Sequence, residues 1–145
     1  MTEQGKTGTV FKSNAPLRLI GWSASGKEIF VALGESEIHT PPQEVSLLRI
    51  SANQEKPETI ARVPAAYLHN IKLSRDGQSI ALVSRQDGRD NVNVVPTSGG
   101  LVKKITSNSD PTVYYSGLTW SPDGKTLLYS KQTSWALVVM IENFK

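Results

Sequence analysis

Internal repetition constrains this chain more than any other feature. Three segments follow one pattern: Leu17-Arg-Leu-Ile-Gly-Trp-Ser-Ala-Ser-Gly26-Lys-Glu-Ile-Phe, Asn70-Ile-Lys-Leu-Ser-Arg-Asp-Gly77-Gln-Ser-Ile-Ala-Leu-Val, and Gly117-Leu-Thr-Trp-Ser-Pro-Asp-Gly124-Lys-Thr-Leu-Leu-Tyr-Ser. Each reads apolar-x-apolar-Ser-x-x-Gly-polar-x-apolar. The anchoring glycines Gly26, Gly77 and Gly124 stand 51 and 47 residues apart. That period belongs to repeated units of four short strands.

Local physics supports the same unit. Ile71/Leu73 and Leu118/Trp120 alternate with polar or small neighbours, the period of two that marks a strand. Arg75-Asp-Gly and Pro122-Asp-Gly are tight turns: Pro presets φ, Asp bonds its own backbone, and Gly accepts positive φ. A second apolar run follows each turn, at Ile29–Leu33, Ile80–Val83 and Leu127–Tyr129, which makes a hairpin. Third strands are expected at Val45–Ile50, Asn91–Val95 and Ala136–Ile141, and fourth strands at Glu58–Val63 and Leu101–Thr106. The segments between them are polar and rich in turn residues. No run of ten or more residues has a helical period, so the fold class is all-β.

The expected architecture is a set of β-propeller blades: three four-stranded antiparallel sheets, half of a six-bladed ring. Residues 17–63 form blade one, 69–106 blade two and 116–145 blade three, which lacks a fourth strand of its own. Residues 1–16 carry an orphan strand instead. Thr7–Lys12 followed by Ser13-Asn-Ala-Pro16 aligns with Val102–Thr106 followed by Ser107-Asn-Ser-Asp-Pro111. This N-terminal strand therefore reads as a closing fourth strand. The whole chain is one three-blade segment.

The repeats resemble the TolB-type, WD-like propeller family, whose hallmark is a strand, Ser-Pro-Asp-Gly-Lys, and a second strand. Ser121-Pro122-Asp123-Gly124-Lys125 matches completely, Ser74-Arg75-Asp76-Gly77-Gln78 in part, and Ser23-Ala24-Ser25-Gly26-Lys27 more loosely. The ending Leu137-Val-Val-Met-Ile-Glu-Asn-Phe-Lys145 resembles the C-termini of large bacterial regulators that place such a propeller behind a winged-helix or Ser/Thr kinase domain. The resemblance implies a scaffold or sensor module and, in such a regulator, a periplasmic location. Its alternatives are the substrate-gating propeller of a prolyl-peptidase-like hydrolase and a purely structural, self-assembling half-propeller.

Chemistry is sparse. The chain has no Cys, which excludes disulfides, thiolate metal ligation and a thiol nucleophile. There is no Gly-x-Ser-x-Gly elbow and no phosphate loop; Thr97-Ser-Gly-Gly100 is a lone turn. His39 and His69 lack metal spacing, and Asp87 with Asp90 reads as a hairpin turn rather than a calcium loop. We expect no enzyme activity, no cofactor and no metal. The formal net charge of +3 comes from 16 basic and 13 acidic residues, with Lys103-Lys104 the sole adjacent basic pair. Nucleic-acid binding is not expected on that pattern. The polar start, Met1-Thr-Glu-Gln-Gly-Lys, has no apolar signal region, and the apolar runs fall well short of a membrane span.

Trp22, Leu73 and Trp120 share one repeat position and are expected, with Ile71, to pack between blades. Tyr67, Tyr114 and Tyr115 are expected in connections from fourth to first strands, with Arg85, Lys131 and Trp135 beside loops from second to third strands. Propeller topology brings both loop sets to one face, together with Arg89. That aromatic and basic rim is the candidate surface for a protein, a peptide or a small ligand. A homodimer that exchanges its N-terminal strand is the expected assembly, because a lone half-ring exposes sheet faces and a strand edge.

Overall fold

A computed structural model describes residues 8–34, 44–51, 56–133 and 136–142. Among them there is no helix. Eleven strands form three antiparallel sheets. The first contains β1 (Leu17–Trp22), β2 (Glu28–Leu33), β3 (Glu44–Ser51) and β4 (Glu58–Pro64) in that order. The second contains β5 (Ala66–Leu73), β6 (Ser79–Gln86), β7 (Arg89–Pro96) and β8 (Lys103–Lys104). The third contains β9 (Tyr114–Trp120), β10 (Leu127–Gln132) and β11 (Ala136–Ile141). These are blades one, two and three.

The repeated turn has a physical rationale that the sequence pattern only hinted at. In blade two, the Ser74 hydroxyl donates to Asp76 (2.5 Å) and accepts from the Ser79 amide (2.9 Å). The Asp76 carboxylate also accepts from the Gln78 amide at 3.0 Å. Blade three repeats every bond: Ser121 to Asp123 (2.6 Å), Thr126 amide to Ser121 (2.9 Å) and Lys125 amide to Asp123 (3.1 Å). In blade one Ser25 replaces the aspartate, and its hydroxyl lies 3.0 Å from that of Ser23. The hairpin survives there because the Ser23 hydroxyl still accepts from the Glu28 amide (3.2 Å). Gly77 and Gly124 adopt φ of 70° and 72°, which a side chain would strain.

The blades stack face to face. Phe30, Ala32, Val45 and Leu47 of blade one bury against Ile71, Ile80, Leu82 and Val95 of blade two. Ala81, Val83, Val92 and Val94 of blade two bury against Leu118, Leu127 and Tyr129 of blade three. The first strands β1, β5 and β9 lie side by side along the inner edge of the stack.

Two expectations need correction, and two readings gain detail. Trp22 is 61% exposed rather than buried, because the side of blade one that carries it faces no blade. Its repeat mates Leu73 and Trp120 are half-buried at junctions, where the Trp120 indole N–H donates to the Lys72 carbonyl (3.1 Å), and Ile71 is buried as expected. The fourth strand of blade two is shorter than Leu101–Thr106. It ends after Lys104 because the Thr106 hydroxyl takes the Val92 amide (2.9 Å) out of the ladder. The hairpin turn expected at 87–90 is a two-residue one: Gln86 pairs with Arg89 across Asp87 (φ 49°) and Gly88 (φ 72°). The N-terminal segment was expected to close on another copy; within this chain residues 8–12 pair with no strand, and Thr7 lies outside the described residues.

A polar network compensates for the short β8. Asn91 is buried and accepts from the Asn108 amide (2.8 Å) and the Thr106 hydroxyl (3.1 Å). Asn108 donates in turn to the Asp90 carbonyl at 3.2 Å. These side chains pin the long connection from blade two to blade three where ladder bonds stop. No buried side-chain polar atom among the described residues lacks a partner.

Candidate ligand-binding face

Five of the six candidate residues lie at the same end of their strands, and four of those meet. Tyr67 is near the start of β5, Arg85 near the end of β6, and Tyr114 and Tyr115 open β9. Lys131 pairs with Tyr115 across the β9–β10 ladder. Trp135 lies outside the described residues, as does His39. The tyrosines were expected in connections and are strand residues instead. Between β4 and β5 the chain turns on one residue, Ala65, at φ 50°, and its carbonyl accepts the Arg85 amide (2.8 Å). No loop is needed there, so Tyr67 enters the sheet.

The centre of the cluster is a residue that sequence reasoning assigned to a turn. Asp90 is 2% exposed. One carboxylate oxygen accepts from Arg85 Nη1 at 2.8 Å, and the other accepts from the Tyr115 amide at 3.2 Å. The second Arg85 nitrogen donates to the Pro111 carbonyl (3.2 Å), and the guanidinium lies 4.8 Å from the centre of the Tyr114 ring. The ion pair lies within blade two, and both of its members reach out to the start of blade three: Asp90 to the Tyr115 amide, and Arg85 to the Pro111 carbonyl and the Tyr114 ring. A signal for it existed in the sequence. Residues flanking a two-residue Asp-Gly turn face each other, and Arg85 and Asp90 are the second such pair.

These contacts set the electrostatics. Burial pushes the Tyr67 hydroxyl above its ordinary range and the Asp90 carboxylate adds to the rise, while Arg85 works against it. For Arg85, burial works downward, but the hydrogen bond and charge of Asp90 prevail and hold the guanidinium charged. The basic rim expected from the sequence is therefore neutralised at Arg85 by a carboxylate beneath it. Arg89 points away from the centre, donating to the Ser109 carbonyl at 2.9 Å.

A cleft of about 280 Å³ opens between Tyr67, His69 and Asn70 on one side and Tyr114, Ser116 and Gln132 on the other, with Asp90 and Tyr115 beneath. The Tyr67 and His69 rings are 5.5 Å apart, and Tyr114 is 49% exposed. Its walls offer aromatic faces, hydroxyls, amides and an imidazole. A larger, more apolar cleft of about 590 Å³ lies at the opposite strand ends, between Lys72, Leu73, Arg75 and Thr119, Trp120, Pro122. It is the wedge between two inner strands and brings together no acid, base or nucleophile pair. No group of three or more potential metal ligands occurs among the described residues.

No protein-family model matches the sequence, and no curated protein matches it significantly. Solved structures do resemble it. TolB from Acinetobacter baumannii aligns with a TM-score of 0.69 at 17% identity, over 99% of this chain and 34% of that one. The protein lmo1340 from Listeria monocytogenes aligns at 0.68 and 13% identity, over 94% of this chain and 40% of that one. A weaker likeness, 0.50 at 16% identity over 87% of this chain and 37% of that one, is to a Bacteroides uniformis protein described as a 6-phosphogluconolactonase. The fold is that of TolB-type propeller blades, and the chain spans about a third of the TolB it matches.

Proposed function

We propose that the chain is a non-enzymatic propeller module, the scaffold or sensor part of a bacterial regulatory protein, which binds a protein or peptide segment in the Tyr67–Tyr114 cleft. One observation carries this reading. The cleft presents half-exposed aromatic rings and neutral hydrogen-bonding groups above a cation already paired with Asp90. Such a surface suits a peptide backbone flanked by apolar side chains better than a free anion, because the Arg85 charge is spoken for. Tyr and His rings supply contact area at small entropic cost, and Asn70, Ser116 and Gln132 supply donors and acceptors. The TolB-type fold supports a binding role through precedent for propeller scaffolds only, since function resides in sites rather than folds.

The test is selection of peptides from a displayed random library on the immobilised chain, followed by affinity measurement on Tyr114→Ala and Gln132→Ala. Selected peptides should weaken by about tenfold or more on Tyr114→Ala, the loss typical of an aromatic anchor. Peptides that bind both variants as well as the parent would refute the cleft. Hydrolysis of 6-phosphogluconolactone above the spontaneous rate would refute the non-enzymatic part.

A further inference from the structure

The two junctions inside the chain share one geometry. Each blade presents a front face to the back of the blade before it. At the inner edge, Leu73 lies against Gly21, where a Cβ would meet the leucine at 3.1 Å. Trp120, at the same repeat position, caps Lys72. The turn glycines follow suit: Gly77 abuts the Ala24 backbone and Gly124 abuts Asp76, whereas Gly26 has nothing within 4 Å.

Both halves of a third such junction are present, at opposite ends of the stack. The pairing of Ile29 with Ile50 matches that of Leu127 with Ile141. Ile29, Val31, Leu48 and Ile50 of blade one therefore hold the places of Leu127, Tyr129, Val139 and Ile141, the front face of blade three. Trp22 holds the place of Trp120. On blade three, Val138 and Met140 hold the places of Val92 and Val94, the back face of blade two. Val92 and Val94 are buried, but Val138 is 81% and Met140 59% exposed.

One element of the absent neighbour is already in position. Matching Ser13-Asn14 to Ser107-Asn108 makes Phe11 the counterpart of Ile105. Ile105 follows β8 and packs at the junction of blades two and three, and Phe11 packs against Val31, Leu48 and Ile50. Phe11 thus sits on the front of blade one where the outer strand of a preceding blade would place it. Residues 8–12 carry no ladder within the chain.

We propose that a second copy of this chain supplies that blade. Its blade three seats Val138 and Met140 on the face formed by Trp22, Val31, Leu48 and Ile50. Residues 8–12 then become the fourth strand on the β11 of the second copy. The β7–β8 register, Asn93 with Lys104 and Val94 with Lys103, transfers to Val10 opposite Val139 and Thr9 opposite Met140. Two copies related by a two-fold axis make both contacts at once, closing six four-stranded blades and covering the open edge of β11. This assembly is independent of the ligand assigned to the cleft.

The experiment is light scattering on the full chain at micromolar concentration. The expected mass is twice the 15.8 kDa of one chain. Trp22→Glu and Met140→Glu should each return the mass to one chain without changing the far-ultraviolet circular dichroism, since both side chains are exposed within the chain. Val10→Cys and Val139→Cys, made in separate chains and mixed, should oxidise to a mixed disulfide-linked dimer, with no native Cys to compete. A parent with the mass of one chain overturns the proposal. So does a dimer indifferent to Trp22→Glu, or a Val10→Cys/Val139→Cys double variant that cross-links within one chain.

Discussion

Removing the Asp90 carboxylate should loosen the contact between blades two and three. Asp90→Ala leaves two groups unpaired: the Arg85 guanidinium, whose side chain is 20% exposed, and the Tyr115 amide. Breaking a fully buried ion pair from one side costs about 3–5 kcal/mol. Arg85 retains some water and the Pro111 carbonyl, so its share here is about 2–3 kcal/mol. The orphaned amide adds about 1 kcal/mol. The expected total is about 3–4 kcal/mol, which at a urea m-value of about 2 kcal/mol/M lowers the midpoint by about 1.5–2 M. Asp90→Asn keeps an acceptor for Tyr115 and should cost clearly less, about 1–2 kcal/mol. The assay is urea unfolding followed by tryptophan fluorescence, with variants compared at one protein concentration because self-association shifts the midpoint. A cycle with Arg85→Ala should show the two changes to be non-additive by about 1–2 kcal/mol. An Asp90→Ala loss below about 1 kcal/mol, or additivity with Arg85→Ala, would refute the fastening role.

Trp120→Phe keeps most of the ring and loses the bond to the Lys72 carbonyl, so stability should fall by about 1 kcal/mol in the same titration. Ala65→Gly should raise stability by about 0.5–1 kcal/mol, because relief of left-handed strain at φ 50° exceeds the added chain entropy. The Ser121 hydroxyl and the Lys125 amide hold the Asp123 carboxyl below its usual range. Its contribution is therefore present above the ordinary carboxylate pKa and lost as pH falls through the lowered one. Asp123→Asn should flatten the acid limb of a stability-against-pH curve while leaving its slope near neutrality unchanged.

Local features were legible in the sequence and remote ones were not. The Ser-x-Asp-Gly turns follow from side chains within six residues of each other, so their spacing was sufficient. Trp22 was misplaced because repeat position says which way a side chain points, not whether a blade lies beyond it. The short β8 reflects competition from the Thr106 hydroxyl and Asn91, which alternation of apolar residues does not register. The candidate face was proposed on its tyrosines. Its organising carboxylate was missed because Asp90 looks like any polar turn residue until the hairpin register sets it opposite Arg85 and the third sheet closes over it.

The self-contained turns carry a consequence for the order in which the chain acquires structure. Every bond that closes the hairpins β5–β6 and β9–β10 joins residues at most five apart at the turn. Closing so small a loop costs little entropy, and such contacts form on the microsecond scale. The outer strands have no such advantage. β8 pairs with β7 only through Asn93 with Lys104 and Val94 with Lys103, and the segment after it is held by side-chain bonds that reach across 14 to 18 residues. Folding of each blade should therefore proceed outward from its inner hairpin, with the outermost strand docking last. Pulsed hydrogen exchange would then find the amides of β6 and β10 protected before those of Ile105 and Asn108.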